Sequence, residues 1–482
     1  MNSRVLLPVA CLLLLAGCMV GPKYKQPTAS VPPAYKELQE TDEWKVAHPK
    51  AEALRSKWWE MFGDRQLNAL EEQIVVSNQN LKMADARFRQ ARATVRYYRA
   101  AEFPTISVSP GFQALRYSPN QAYFPSSGTG ISSAVDFFLP FDLSYEVDLW
   151  GRIRRSVASA GEEAQASAAD LETMTLSLQA ELAYDYFELR SADTQKELLD
   201  DTVKAYTDMV ELTGALFNGG AAPESDVVQA RTQLDTTRVQ DTDIEVMRSQ
   251  YEHAIAILIG KPPAEFAIAP RSRPFEPPAI PVGLPSQLLE RRPDIAAAER
   301  RVAEANEGIG IARAAYFPSL TIGGDVGLES RHISDWFTWP SRVWALGPQA
   351  SEIIFDGGRR RAGVQQAQAN YDATVATYRE ATLEAFQQVE DNLAALRILA
   401  HEATQEKEAV AEARRDVELF TSLYEGGADP YLEVVTAETV ELQNERNEID
   451  ILRRQMGASV LLIKALGGGW KASNLPQISS MQ

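Results

Sequence analysis

The chain contains the same long unit twice. LFNGGAAPESDVVQA (residues 216 to 230) matches LYEGGADPYLEVVTA (423 to 437) at an offset of 207. The same offset carries Gly151-Arg152 onto Gly358-Arg359, Leu189-Arg190 onto Leu396-Arg397 and Ile259-Gly260 onto Leu466-Gly467. Upstream, AAEFPTIS (100 to 107) matches AAYFPSLT (314 to 321) at an offset of 214, so the first copy carries seven extra residues in between. A period near 200 residues is too long for the common solenoid repeats. Between Gly151 and Phe217, and again between Gly358 and Tyr424, there is no proline. Leu171, Met174, Leu178, Leu182, Tyr186 and Leu189 recur three and four apart, and Leu199, Val203, Tyr206 and Val210 continue the stripe. Val435, Leu442, Ile449, Leu452, Met456, Val460 and Ile463 line the return helix. A helix over either proline-free stretch is ~100 Å long at 1.5 Å per residue. That length suits coiled-coil packing rather than a compact domain.

Before each long helix the periodicity changes to two. Phe137, Leu139, Phe141, Leu143, Tyr145, Val147 and Leu149 alternate with Asp142, Ser144, Glu146 and Asp148. Ser319 to Glu329 alternates likewise, with Leu320, Ile322, Val326 and Leu328 against Asp325 and Glu329. Thr105 to Gln113 is a shorter strand of the same kind, and Val343 to Phe355 is a fourth, interrupted at Gly347-Pro348. Taken alone, this pattern fits a soluble sheet with one buried face. Tyr117, Tyr123, Phe124, Trp336, Phe337 and Trp339 cluster in or beside the connecting loops, where an interfacial aromatic girdle belongs.

The N-terminus reads as a signal. Arg4 precedes an apolar run, Val5 to Leu15, that is too short to span a bilayer. Leu15-Ala16-Gly17-Cys18 resembles a bacterial lipobox, in which Cys18 is acylated and becomes the first mature residue. Met19, rather than aspartate, follows it and favours the outer membrane. The only other cysteine, Cys11, lies in the signal, so no disulfide and no thiol metal site is expected. The four histidines, His48, His253, His332 and His401, are scattered, and no metal is assigned. A net charge of −18 argues against nucleic acid. No later run is apolar over the 18 residues a spanning helix needs, so any crossing is by strands. No H-E-x-x-H, G-x-S-x-G or P-loop occurs. An anchored enzyme built on a carboxylate pair, and a coiled-coil scaffold or adaptor, both remain open on these grounds.

A more specific resemblance comes from motifs in order: Cys18-Met19-Val20-Gly21-Pro22 with Tyr24; Trp58-Trp59 and Phe62 before Leu67; Arg291-Arg292-Pro293-Asp294; Ala315-Tyr316-Phe317-Pro318; Phe355-Asp356-Gly357-Gly358-Arg359; and Tyr424-Glu425-Gly426-Gly427. Together they resemble the TolC-like outer-membrane factors, lipoprotein branch (OprM-like and NodT-like). The resemblance implies a mainly α chain with a transmembrane β-barrel part. Three protomers would share a twelve-stranded barrel and extend long helical hairpins into the periplasm as an α-barrel. It implies the exit duct of a tripartite efflux system, not an enzyme, with a periplasmic adaptor and an inner-membrane pump of the RND type as partners. Small-molecule export is favoured over protein secretion by the lipobox.

The expected layout is signal 1–17, anchored extended segment 18–60, first repeat 61–270, second repeat 271–470 and tail 471–482. Expected cofactors are none beyond the acyl lipid on Cys18. The hairpin tips carry Gly219, Gly220 and Pro223, and Gly426, Gly427 and Pro430, suited to a helix end and to the first turn of the next helix. The resemblance assigns adaptor docking to these tips. It places a periplasmic gate at Leu432 and Glu433, with Asp226 as the repeat counterpart of Glu433. Thr436 stands where the family commonly has an aspartate, which removes the usual second acidic ring. Asp142, Glu146, Asp148, Asp325 and Glu329 are the expected barrel-lumen residues. Arg291 to Asp294 reads as a local cap around proline, and the cargo is not written in the chain.

Overall fold

The structure is a computed structural model, described here over residues 19–38, 57–116, 133–272, 275–283 and 285–481. Cys18, Tyr117, Tyr123 and Phe124 lie outside the described residues. Helices α1 (Arg65–Ser77) and α2 (Gln79–Arg99) lead into strands β1 (Thr105–Val108), β2 (Gly111–Arg116) and β3 (Ser133–Val147). A hairpin of α3 (Arg152–Asn218) and α4 (Glu224–Leu258) follows. The second half repeats the plan with α5 (Pro293–Ala314), β4 (Ser319–Ser330), β5 (Arg342–Ser351), α6 (Arg359–Glu425) and α7 (Tyr431–Ala465).

The repeat is present down to its boundaries. The long helices are 67 residues each and the return helices 35 each, starting and stopping at equivalent positions. Each long helix starts from a left-handed glycine, Gly151 or Gly358. An aspartate just upstream takes the orphan amides of the first turn: Asp148 accepts from Ile153 and Arg154, and Asp356 from Gly358 and Arg360. Asp148, one of the expected lumen residues, is engaged here. It lies past the end of β3 and is spent on capping α3 and on the Arg154 guanidinium, 3.0 Å away.

The strands form one antiparallel sheet in the order β1-β3-β4-β5, with β2 continuing β1 along β3. The expected continuous strand from Thr105 to Gln113 is broken, because Pro110 has no N–H to give the ladder. β5 carries Gly347 and Pro348 within it, opposite Gly323 and Ile322. It is an edge strand, where proline is tolerated.

Near the sheet, α3 lies between α2 and α5, with α6 beyond; toward the tips it lies between α4 and α7. The main apolar core is a belt midway along the hairpins. There Trp58, Trp59, Leu67 and Ile74 meet Leu182, Tyr186 and Leu189 of α3, Phe386 and Val389 of α6, and Val460 and Ile463 of α7. An ionic knot sits in this belt. Arg190, 1% exposed, bonds Asp193 at 2.6 Å, Gln66 at 2.6 Å and the carbonyl of Ala269. Asp193 also holds Arg248, whose second arm reaches the carbonyl of Ile268. The chain crossing from one repeat to the other is thereby pinned to the first hairpin.

Residues 19 to 38 form a strap along α5 and α6. Val20 donates to the Trp150 carbonyl, Arg155 and Asn306 both donate to the carbonyl of Pro22, and Tyr24 donates to Glu299. Farther down, the amides of Lys36 and Glu37 share the Glu390 carboxylate. Glu37 pairs with Arg397, the repeat counterpart of Arg190.

Candidate functional site

Two regions carry the chemistry, the sheet faces and the hairpin tips. The register separates the faces by polarity. On one face Phe141 sits opposite both Val108 and Val326, and Val326 opposite Trp344. Val108, Phe141, Val326 and Trp344 are all exposed in the single chain. On the other face Asp142 sits directly opposite Asp325, and Glu329 lies beside Asp136. Glu146 shares that face, but its charge is engaged by both arms of Arg152, at 2.9 and 2.6 Å. Of the five lumen candidates, three therefore present charge on the polar face, one is paired and one caps a helix.

Aromatic rows bound the apolar face. At one end Phe112, Phe137, Trp336 and Phe337 run in sequence with ring centroids 5.0 to 6.2 Å apart. At the other, Trp150 stacks on Phe317 at 4.6 Å and donates its indole N–H to the Pro318 carbonyl. The ten steps from Phe137 to Val147 span ~34 Å along the strand, or ~26 Å in height at a tilt of about 40°. Sequence reasoning missed the second row, because Trp150 and Phe317 lie 167 positions apart in the chain.

The two tips share one geometry. Gly220 and Gly427 take φ of 75° and 72°, which an L side chain resists. The next amide then reaches back to the helix, Ala221 to Leu216 and Ala428 to Leu423, both at 2.8 Å. Gly219 and Gly426 remain right-handed. Pro223 and Pro430 occupy the N-cap, one residue earlier than the first-turn position expected. Glu224 and Asp226 in one tip, and Glu433 in the other, place acid in the first turn, where the helix dipole favours it.

Leu432 is 53% exposed and Glu433 is exposed beside it, between the buried Tyr431 and Val434. Thr436 donates to the carbonyl of Leu432 and adds no charge. Asp226 is engaged: the Tyr424 hydroxyl donates to it at 3.3 Å and ties the second hairpin to the first. The Tyr424 ring packs on Tyr431 at 5.1 Å. One turn deeper, Glu438 is buried among Tyr206, Gln233 and Tyr431, and burial pushes its carboxyl up to about 7. Tyr424, Tyr431 and Glu438 were not among the sequence candidates. The signal was the repeat itself, which has Phe217, Glu224 and Arg231 at the equivalent positions. The three therefore mark where the hairpins stop being interchangeable.

Among the described residues no helix is long and apolar enough to cross a membrane. A family model described as outer membrane efflux protein matches residues 70–261 and 284–468, once on each repeat. The chain is 31% identical over 469 residues to the toluene efflux pump outer membrane protein TtgF of Pseudomonas putida, covering 96% of each. It is 29% identical over 476 residues to the pyoverdine export outer membrane protein OpmQ of Pseudomonas aeruginosa, covering 98% of each. The solved outer-membrane channel OprN superposes with a TM-score of 0.87 at 28% identity, over 94% of this chain and all of that one. With its two-faced sheet and paired hairpins, the chain belongs to the outer membrane efflux protein family, as a channel protein of the outer membrane and not an enzyme.

Proposed function

We propose that three copies of this chain close one barrel and one helical tunnel, forming the exit duct of a tripartite pump. The observation that carries this reading is the sheet, four strands wide, with two open edges, one face lined mainly by large apolar side chains and the other carrying the acids. Open edges cannot face lipid, and closing with two further copies removes them. The apolar face, ~26 Å high between its aromatic rows, matches the ~25 Å apolar band of outer-membrane barrels. Exposed apolar side chains on both outer helices support the same closure: Val239 and Val246 on α4, and Leu383 and Ile398 on α6.

An adaptor docks on the tips, and an RND-type inner-membrane pump feeds the duct. Leu432 and Glu433 narrow the mouth, and the Tyr424–Asp226 bond holds the hairpins together there. Asp142, Asp325 and Glu329 give the lumen a preference for cations. Cys18 carries the acyl anchor; the strap supports this, since its Val20 end is bonded at the Trp150 row. TtgF and OpmQ are named for toluene and pyoverdine, so relatives at 31% and 29% identity are named for unlike cargo. The pump, rather than this chain, selects what passes.

Native mass spectrometry of detergent-extracted protein tests the assembly. A trimer with acyl mass on each chain is expected, and Cys18→Ser removes the mass but leaves the trimer. A stable monomer would overturn the shared barrel.

A further inference from the structure

A cavity with a mixed polar and apolar wall lies in the mid-helix belt, away from the hairpin tips and the sheet. It encloses about 980 Å³ between the Trp58-Trp59 turn, α1, α3 and the glycine run that ends in Trp470. Such a volume suits a drug-sized molecule. Glu71 is part of its wall and is 0% exposed, on the face of α1 that otherwise carries Leu67, Leu70 and Ile74. Among the described residues neither oxygen of its carboxyl has a hydrogen-bond partner, and neither do the indole N–H groups of Trp58 and Trp59 in the same wall. A buried carboxyl left without a hydrogen-bond partner is costly and persists only for a reason. Gln179 is buried in the wall as well, and Glu172 stands exposed on the α3 side.

We propose that this cavity binds a small organic cation, an amine or quaternary ammonium on an apolar body, with Glu71 as its buried counter-charge and Glu172 as the acid that meets it on entry. The other charges that face the site are Lys57, already paired with Glu72, and Lys471 of the C-terminal turn. Neither neutralises Glu71, whose carboxyl burial holds well above the usual range. The cation pairs with the ionised form of this carboxyl, so binding tightens as pH rises.

The test uses the full chain in detergent, with tetraphenylphosphonium as probe and tetraphenylborate as a body of the same shape and opposite charge. Titration calorimetry and tryptophan fluorescence are expected to show saturable binding of the cation, one per chain, and none of the anion. Raising the pH is expected to tighten wild-type binding, by no more than about tenfold per unit. Glu71→Gln weakens the cation at least about tenfold and flattens the pH dependence to what Glu172 contributes, while its melting temperature stays at or above that of the wild type. Equal binding of both ions, or wild-type affinity in Glu71→Gln, would overturn the site. The pH series on the wild type decides the matter even if the variant folds badly. Channel conductance in a bilayer is expected to be the same in both proteins, so loss of the site leaves the duct reading intact.

Discussion

At the scale of single residues, the buried charges are the most demanding positions. Arg190 and Asp193 are the centre of a buried knot that also holds Gln66 and Arg248, so truncating either leaves several buried polar groups short of a partner. Arg190→Ala is expected to lower stability by about 3–5 kcal/mol, read as a fall in melting temperature, with no direct effect on conductance. Tyr424→Phe removes one hydroxyl from a half-buried bond to Asp226, a change of about 1 kcal/mol. Its effect belongs at the mouth, and single-channel recording should show more frequent or larger openings than in the wild type. If the two traces match, the tyrosine packs the tip without holding it shut. Neither the burial of Arg190 nor the bond from Tyr424 to Asp226 could be read from the chain alone, although Tyr424 stands in a motif. An arginine within an amphipathic stripe looks like a solvated residue until the fold buries it, and Glu71 on the apolar face of α1 is legible only as an exception.

At the scale of elements, the tips and the paired hairpins respond to different perturbations. Gly427→Ala forces a side chain into the left-handed region, expected to cost about 1–2 kcal/mol, and limited proteolysis at the tip would report it. Glu438 sits between hairpins, facing Tyr206 from α3, Gln233 from α4, and Tyr431 and Glu441 on its own helix. Burial raises its carboxyl from 4.5 to about 7, so the folded state holds this proton more tightly than the unfolded chain. Its contribution is therefore greatest at low pH, declines as pH climbs from ~4.5 to ~7, and amounts to about 3 kcal/mol in all. Glu438→Gln should flatten that slope in a melting-temperature series across the same range. The element plan was legible: absence of proline sets the two long helices, and alternation sets β3 and β4. The break at Pro110 and the capping role of Asp148 were not, since period two continues through both positions.

At the scale of the whole molecule, the duplication and the two-sided sheet were readable because both are periodic. The pairing of α3 with α5 near the sheet and with α7 near the tips depends on contacts hundreds of residues apart, and no local pattern announces it. Asp142→Asn with Asp325→Asn removes two facing charges per chain from the polar face and should reduce cation over anion permeability, measured as a shift in reversal potential. An unchanged reversal potential would place selectivity elsewhere. The equal arms have a further consequence. Since both hairpins are built to the same length, their turns finish level, and three copies would offer a crown of six knuckles rather than three. A docking protein would meet alternating, nearly equivalent footholds, and the tyrosine that only every second knuckle carries is what tells a threefold ring from a sixfold one.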